Sequence, residues 1–127
     1  MPIVLSQIEQ NIVLQKWIGD VTVGDMQSAW AQINALLEGQ SSDKLVTLID
    51  GAEAKHIDLD LKAVINLVQR DPRGRGIYIF NAGGVMQVIA HIIGSMVHQK
   101  EILICDTYDE ALRLARMRLE LGDKQDE

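Results

Sequence analysis

The chain holds one cysteine, two prolines and one phenylalanine in 127 residues, and aromatic residues make up only 4% of it. The lone thiol, Cys105, excludes an internal disulfide framework and a multi-cysteine zinc site. No apolar run approaches the roughly 20 residues needed to cross a bilayer as a helix. No signal peptide opens the chain, so the expectation is a cytoplasmic protein without membrane insertion. Basic residues are the minority: 12 Lys and Arg against 18 Asp and Glu leave a net charge of −6. That balance argues against nucleic acid as a partner, because a polyanion is repelled by an acidic surface. What remains is a globular composition, with 47% hydrophobic and 24% charged residues. A single domain of this length buries enough surface to fold without a metal or disulfide.

The period of the apolar pattern changes along the chain, and that change orders the elements. Residues 2–8 (PIVLSQI) and 12–18 (IVLQKWI) are short β-branched runs joined across Glu9-Gln10-Asn11, which predicts two strands paired antiparallel. Thr22 with Asp25 resembles a capping box. Met26, Ala29, Trp30, Ile33, Leu36 and Leu37 then follow at helical spacing, with Gly39 as the stop. Residues 45–49 (LVTLI) predict a buried strand ending at Asp50-Gly51. The second helix is expected to start near Asp58 or Asp60, with Leu61, Val64, Ile65 and Val68 as its stripe and residues 71–76 as the turn that ends it. Residues 77–80 predict a strand, 81–84 a break, 85–97 a helix, and Glu101–Cys105 the last strand.

Thr107 and Glu110 form a second capping box. In the final helix Asp109 and Glu110 come early and Arg113, Arg116 and Arg118 late, as the helix dipole favours, with Asp109 and Arg113 an i, i+4 pair. Residues 122–127 are expected to be a charged, frayed tail beyond a domain of residues 1–121. The order ββαβαβαβα implies an α/β fold. Its sheet is mixed, antiparallel at the opening hairpin and mostly parallel thereafter, with helices on its faces.

Three motifs stand in a telling order: residues 14–19 (LQKWIG) before a helix, residues 46–50 (VTLID) with Ile57-Asp58 beyond them, and residues 104–112 (ICDTYDEAL). With them the chain, over roughly residues 12–119, resembles a STAS domain, the module shared by sulfate transporters and anti-sigma-factor antagonists. It is similar in particular to the small stand-alone bacterial STAS-like proteins of unassigned function. The resemblance implies no catalysis and a protein partner docked on residues 54–61 and the start of the second helix, through His56, Asp58, Asp60 and Leu61. In members regulated by phosphorylation a serine lies in a D-S-S-G turn there. This chain has Asp58-Leu59-Asp60-Leu61, with no hydroxyl at the matched positions, so the implied binding is independent of phosphorylation. Asp60, in the phosphoacceptor's place, has one fixed negative charge, whereas a phosphate has nearly two and three acceptor oxygens. Read from the residues alone, Asp58 or Asp60 is a helix N-cap.

Other candidate chemistry is sparse. His91 and His98 project on one side of the third helix, about 10 Å apart along its axis. That is too far for one metal ion, whose ligand bonds are about 2 Å, so both read as solvated. His56 is expected in a loop between Asp50 and Asp58, an acid–base or metal cluster only if the fold makes the three converge. Gly83 and Gly84 join a strand to a helix and offer free N–H groups to an anion, although a flexible turn also accounts for them. Neither a dinucleotide fingerprint, a P-loop nor a nucleophile elbow is present. Arg70, Arg73 and Arg75 read as loop charges that can steer an acidic partner, and Cys105 as a packed, reduced thiol. No catalytic residue, metal or cofactor is assigned.

The segment 85–97 is more apolar than a helix on a sheet requires. Val85, Met86, Val88, Ile89, Ile92, Ile93, Met96 and Val97 cover an arc of about 180°, where somewhat over 100° suffices. The excess is covered within the monomer, faces a second copy in a homodimer, or lines a pocket for an apolar ligand, with Ile89, Ile92, Ile93 and Met96 as its candidate residues. The expectation is therefore a non-catalytic, regulatory type of protein-interaction module with an unidentified protein partner. The alternative is a carrier or sensor of a small apolar or lipid-like ligand, which the likeness of the STAS fold to the CRAL-TRIO lipid-binding fold also implies.

Overall fold

A computed structural model describes residues 2–40, 43–58, 60–97 and 100–125, with side chains through Leu121. Strand β1 (Ile3–Glu9) turns at Gln10-Asn11 into β2 (Ile12–Val21), placing Ile3 opposite Trp17 and Gln7 opposite Val13. There follow α1 (Val23–Leu36), β3 (Leu45–Ile57), α2 (Leu61–Arg70), β4 (Gly74–Phe80), α3 (Gly84–Met96), β5 (Glu101–Cys105) and α4 (Tyr108–Gln125). The five strands lie side by side in chain order, and every pair after the opening hairpin is parallel.

This topology sorts the helices. Three successive crossovers each step one strand in the same direction, and right-handed connections of that kind put their helices on one face. Alternation along the strands completes the division. Trp17, Ile49 and Ile79 point toward α1, α2 and α3, where they meet Met26, Ala29, Val64, Met86, Ala90 and Ile93. Val46, Leu48, Tyr78 and Phe80 point the other way, under α4, against Ala111 and Ala115. The small side chains of α4 let it approach closely. On the same face Gly76 leaves room for the Tyr78 ring, since a Cβ there would lie 3.0 Å from the phenol oxygen.

Local chemistry sets most boundaries. Thr22 and Asp25 form a reciprocal capping box at the start of α1, and Gly39, at φ +83°, takes the left-handed conformation just after it. The second box is half built. Glu110 donates its N–H to Thr107 Oγ1 at 3.1 Å, but its carboxylate reaches the Asp106 N–H at 3.4 Å, one residue short of Thr107. The expected Asp109–Arg113 pair is replaced by a contact of the Arg113 guanidinium with Met117 Sδ. Helix α4 runs through Gly122 as far as Gln125, so the first residues assigned to a frayed tail are helical.

The larger correction concerns β3. It does not stop at Asp50-Gly51 but continues to Ile57, so residues 54–57 are strand and not loop. Strand β2 continues beside it, with Ile18 opposite Glu53, Asp20 opposite His56 and Val21 opposite Ile57. Register shifts after Lys16 and Gly19, the latter at φ +66°, keep the two in step. The extension is held by ladder hydrogen bonds while its side chains are mostly exposed, so it has no apolar signature. Strand β4 likewise starts at Gly74, where Leu45 N–H donates to Arg73 O, rather than at Ile77.

Candidate functional site

The long β2–β3 ladder ends in a ledge from which α1 and α2 depart. Asp58 N–H closes it by donating to Val21 O at 2.9 Å. The Asp58 carboxylate then accepts from the N–H of Asp60 at 3.2 Å and from that of Val23 at 3.4 Å, tying the starts of both helices together. Asp60 is the N-cap of α2, accepting from Ala63 N–H at 3.2 Å. A carboxylate at a helix start satisfies an orphan donor and faces the positive end of the dipole. Both acids therefore have structural roles, and both remain exposed, while Leu61 is half-buried beside them. Leu59 lies outside the described residues.

His56 stands on β3 opposite Asp20, with its Nδ1 2.8 Å from Asp20 Oδ1 and both side chains largely exposed. The fold does not make His56, Asp50 and Asp58 converge: the strand turns His56 to Asp20, while Asp50 accepts from Ala52 N–H and from the Asn81 amide. Among the described residues no group of three or more His, Cys, Asp or Glu is placed to hold a metal. His91 is exposed on α3, and His98 lies outside the described residues.

Gly83 is the N-cap of α3 and Gly84 its first residue, with no side chain closing the helix start. Asn81, at φ +55°, makes the turn before them. Its bond to Asp50 sets a carboxylate at the same turn, an unfavourable neighbour for an anion. Cys105 is buried at the end of β5, where desolvation and the nearby Glu110 and Asp106 push its thiol up to about 11. A thiol so protonated is a poor nucleophile.

The arginines separate. Arg70 stacks over the Trp30 ring at 5.3 Å. Arg75 donates to Pro72 O at 2.9 Å. Arg73 joins a clamp at the far end of α2: it pairs with Asp71 at 2.6 Å and reaches Asn34 of α1. Burial pushes the Asp71 carboxyl up, but hydrogen bonds from the Arg73 side chain and backbone, with the charges of Arg73 and Lys100, outweigh it and hold it below the usual range. Lys100 Nζ donates to the carbonyls of Val68 and Asp71, and burial pulls its ammonium down against the attraction of Asp71.

The apolar excess of α3 divides into two stripes at about 100° per residue. Ile89 and Ile93 turn inward with Met86 and Ala90. Ile92 and Met96 belong to an outer stripe with Val85 and Val88, of which Val85, Val88 and Met96 are 57%, 59% and 54% exposed. That stripe borders a groove against the edge strand β5, where Leu103 and Ile104 are also exposed. The four residues expected on one face thus serve two. The sheet and α1, α2 and α3 border between them a partly open cavity of about 150 Å³, walled by Trp17, Trp30, Ile49, Val64, Ile89 and Ile93 among others. Periodicity marked Trp30 only as part of the α1 stripe; nothing in the sequence marked it as a cavity wall.

No helix among the described residues is long and apolar enough to cross a membrane. No protein-family model and no curated protein matches the chain. Solved structures do. An uncharacterised DUF3478-family protein with a SpoIIAA-like fold, from Shewanella loihica PV-4, aligns at a TM-score of 0.63 and 16% identity, over 88% of this chain and 90% of that one. The anti-sigma factor antagonist SpoIIAA in its unphosphorylated form aligns at 0.60 and 16%, over 90% and 97% of the two chains. The Bacillus cell fate determinant SpoIIAA in its phosphorylated form aligns at 0.58 and 13%, over 89% and 98%. With the hairpin, the parallel strands and the four helices all in place, the chain has a SpoIIAA-like fold.

Proposed function

We propose that this domain is a non-catalytic cytoplasmic interaction module that docks a protein partner on the ledge at the start of α2, without phosphorylation. The observation that supports it best is the rigid acidic surface there: Asp58 ties two helix starts together, Asp60 caps α2, and Asp20 pairs with His56 alongside. Such a surface favours a partner with basic residues. The fold of an anti-sigma factor antagonist supports a protein as the class of partner. A non-catalytic role is supported by the exposed position of the His56–Asp20 pair and by the buried, protonated Cys105. We also propose that a second copy covers the outer stripe of α3 and the edge strand β5, because an open strand edge flanked by exposed apolar side chains is a pairing surface.

The docking surface is tested by the double variant Asp58→Asn and Asp60→Asn. Asparagine caps a helix about as well as aspartate, so the fold should hold while the charge is lost. Partner recovered from a cell lysate on the immobilised domain should fall, and recovery should also fall with added salt. Unchanged recovery by a folded double variant overturns this surface.

A further inference from the structure

We propose that the cavity beneath α2 is a binding site for a small, mainly apolar molecule, about benzene to indole in size, that carries one hydrogen-bond acceptor. The site is separate from the ledge at the start of α2 and stands whether or not a protein docks there.

Size and wall chemistry come first. The cavity measures about 150 Å³. Apolar cavities of that volume take up benzene-sized molecules. Met26, Ile33, Ile49, Val64, Ile89 and Ile93 supply an aliphatic wall. Several polar groups of the wall are engaged. Trp17 Nε1 donates to Gln15 at 2.9 Å, Asp71 is paired with Arg73, and Lys100 donates to two carbonyls. Trp30 also belongs to the wall, and its indole Nε1 is buried with no acceptor among the described residues. A buried N–H of this kind is uncommon, and an acceptor brought by a ligand would satisfy it.

Entry is provided by α2. Val64 is the one residue of its ten that is buried, while Ile65, Leu67 and Val68 pack against the core half-buried. Its ends are held by polar ties, the aspartates at one and the Asp71–Arg73–Asn34 and Lys100 contacts at the other. The cavity is already partly open, and a helix packed so lightly can widen the opening at modest cost.

The test uses two probes of nearly the same shape, cyclohexanone and cyclohexane, titrated into labelled protein and followed by the two indole N–H resonances. Both probes should shift the spectrum saturably. Cyclohexanone should bind about five-fold tighter, the value of one added hydrogen bond, and should move the Trp30 Nε1 resonance downfield. Trp30→Phe should remove that preference, and Ala90→Leu, which fills part of the space, should weaken both probes. No saturable shift with either probe, or equal affinities in the unaltered protein, overturns the proposal. If either variant fails to fold, the comparison of probes in the unaltered protein decides it.

Discussion

The two faces of the sheet are built from the same strands and packed to different standards. Under α4, Ile12, Val46, Leu48, Tyr78, Ala111 and Ala115 are sealed from solvent, large side chains from the sheet fitting against alanines of one helix. Under α1, α2 and α3 the buried residues are as apolar, yet a cavity of about 150 Å³ remains among them. One helix with small residues can settle onto a strand surface. Three helices that must cover a twisted sheet side by side meet each other before they all meet the sheet. The first face secures the fold; the second keeps space, and it also carries the helix start where the acidic ledge lies.

Deleting side chains should expose the contrast most strongly. Leu48→Ala, on the sealed face, should cost about 3–4 kcal/mol in urea unfolding, because its neighbours cannot close the gap. Ile89→Ala, half-buried at the cavity, should cost less than half of that. Equal losses would mean that the two faces are packed alike.

The clamp at the end of α2 comes next. Asp71→Asn should cost about 2 kcal/mol, since it weakens bonds to Arg73 in a largely buried setting. The folded Asp71 carboxyl lies below its usual value, so its contribution is present above the unfolded pKa of about 3.9 and is lost as pH falls through the lower folded value. Unfolding followed by circular dichroism should therefore show the unaltered protein losing stability below about pH 4 more steeply than Asp71→Asn. Parallel acid profiles would remove Asp71 from this role.

Adding bulk should have the most discriminating effect. Ala115→Leu should destabilise by about 1–3 kcal/mol through overpacking, whereas Ala90→Leu should stay within about 1 kcal/mol of the unaltered protein or gain stability. If thermal unfolding shows both equally damaging, the inner space is not available to a ligand. At the edge of the same face, Val88→Asp should shift sedimentation toward monomer if a second copy covers the outer stripe of α3. Unchanged sedimentation would place self-association elsewhere or nowhere.

Much of this was legible in advance where neighbours in the chain settle the matter. The Thr22–Asp25 box, the Asp60 cap and the apolar runs of β3 and β4 each depend on residues a few positions apart. The second half of β3 was not legible, because Glu53, Lys55 and His56 are exposed and the strand there exists through its ladder with β2. The pairing of His56 with Asp20 was not legible for the same reason, since it arises from the register of two strands where the residues alone suggest a loop. The apolar excess of α3 was visible, but not its division, since Ile93 and Met96 are close in sequence and face different surroundings.

By itself the order of residues determined the succession of strands and helices, the caps that start α1 and α2, the lack of a hydroxyl at Asp58, Asp60 and Leu61, and the acidic character of the surface. These are local or compositional properties, set by hydrogen bonds and periodicities within a turn or two of chain. Only the tertiary structure decided that Asp58 joins two helix starts, that Lys100 and Asn34 hold the end of α2 from distant segments, and that Trp30 stands in the wall of a cavity with an unsatisfied N–H. Those features arise from how the surfaces of several elements fit, and the shape of a gap between elements is written in no one of them.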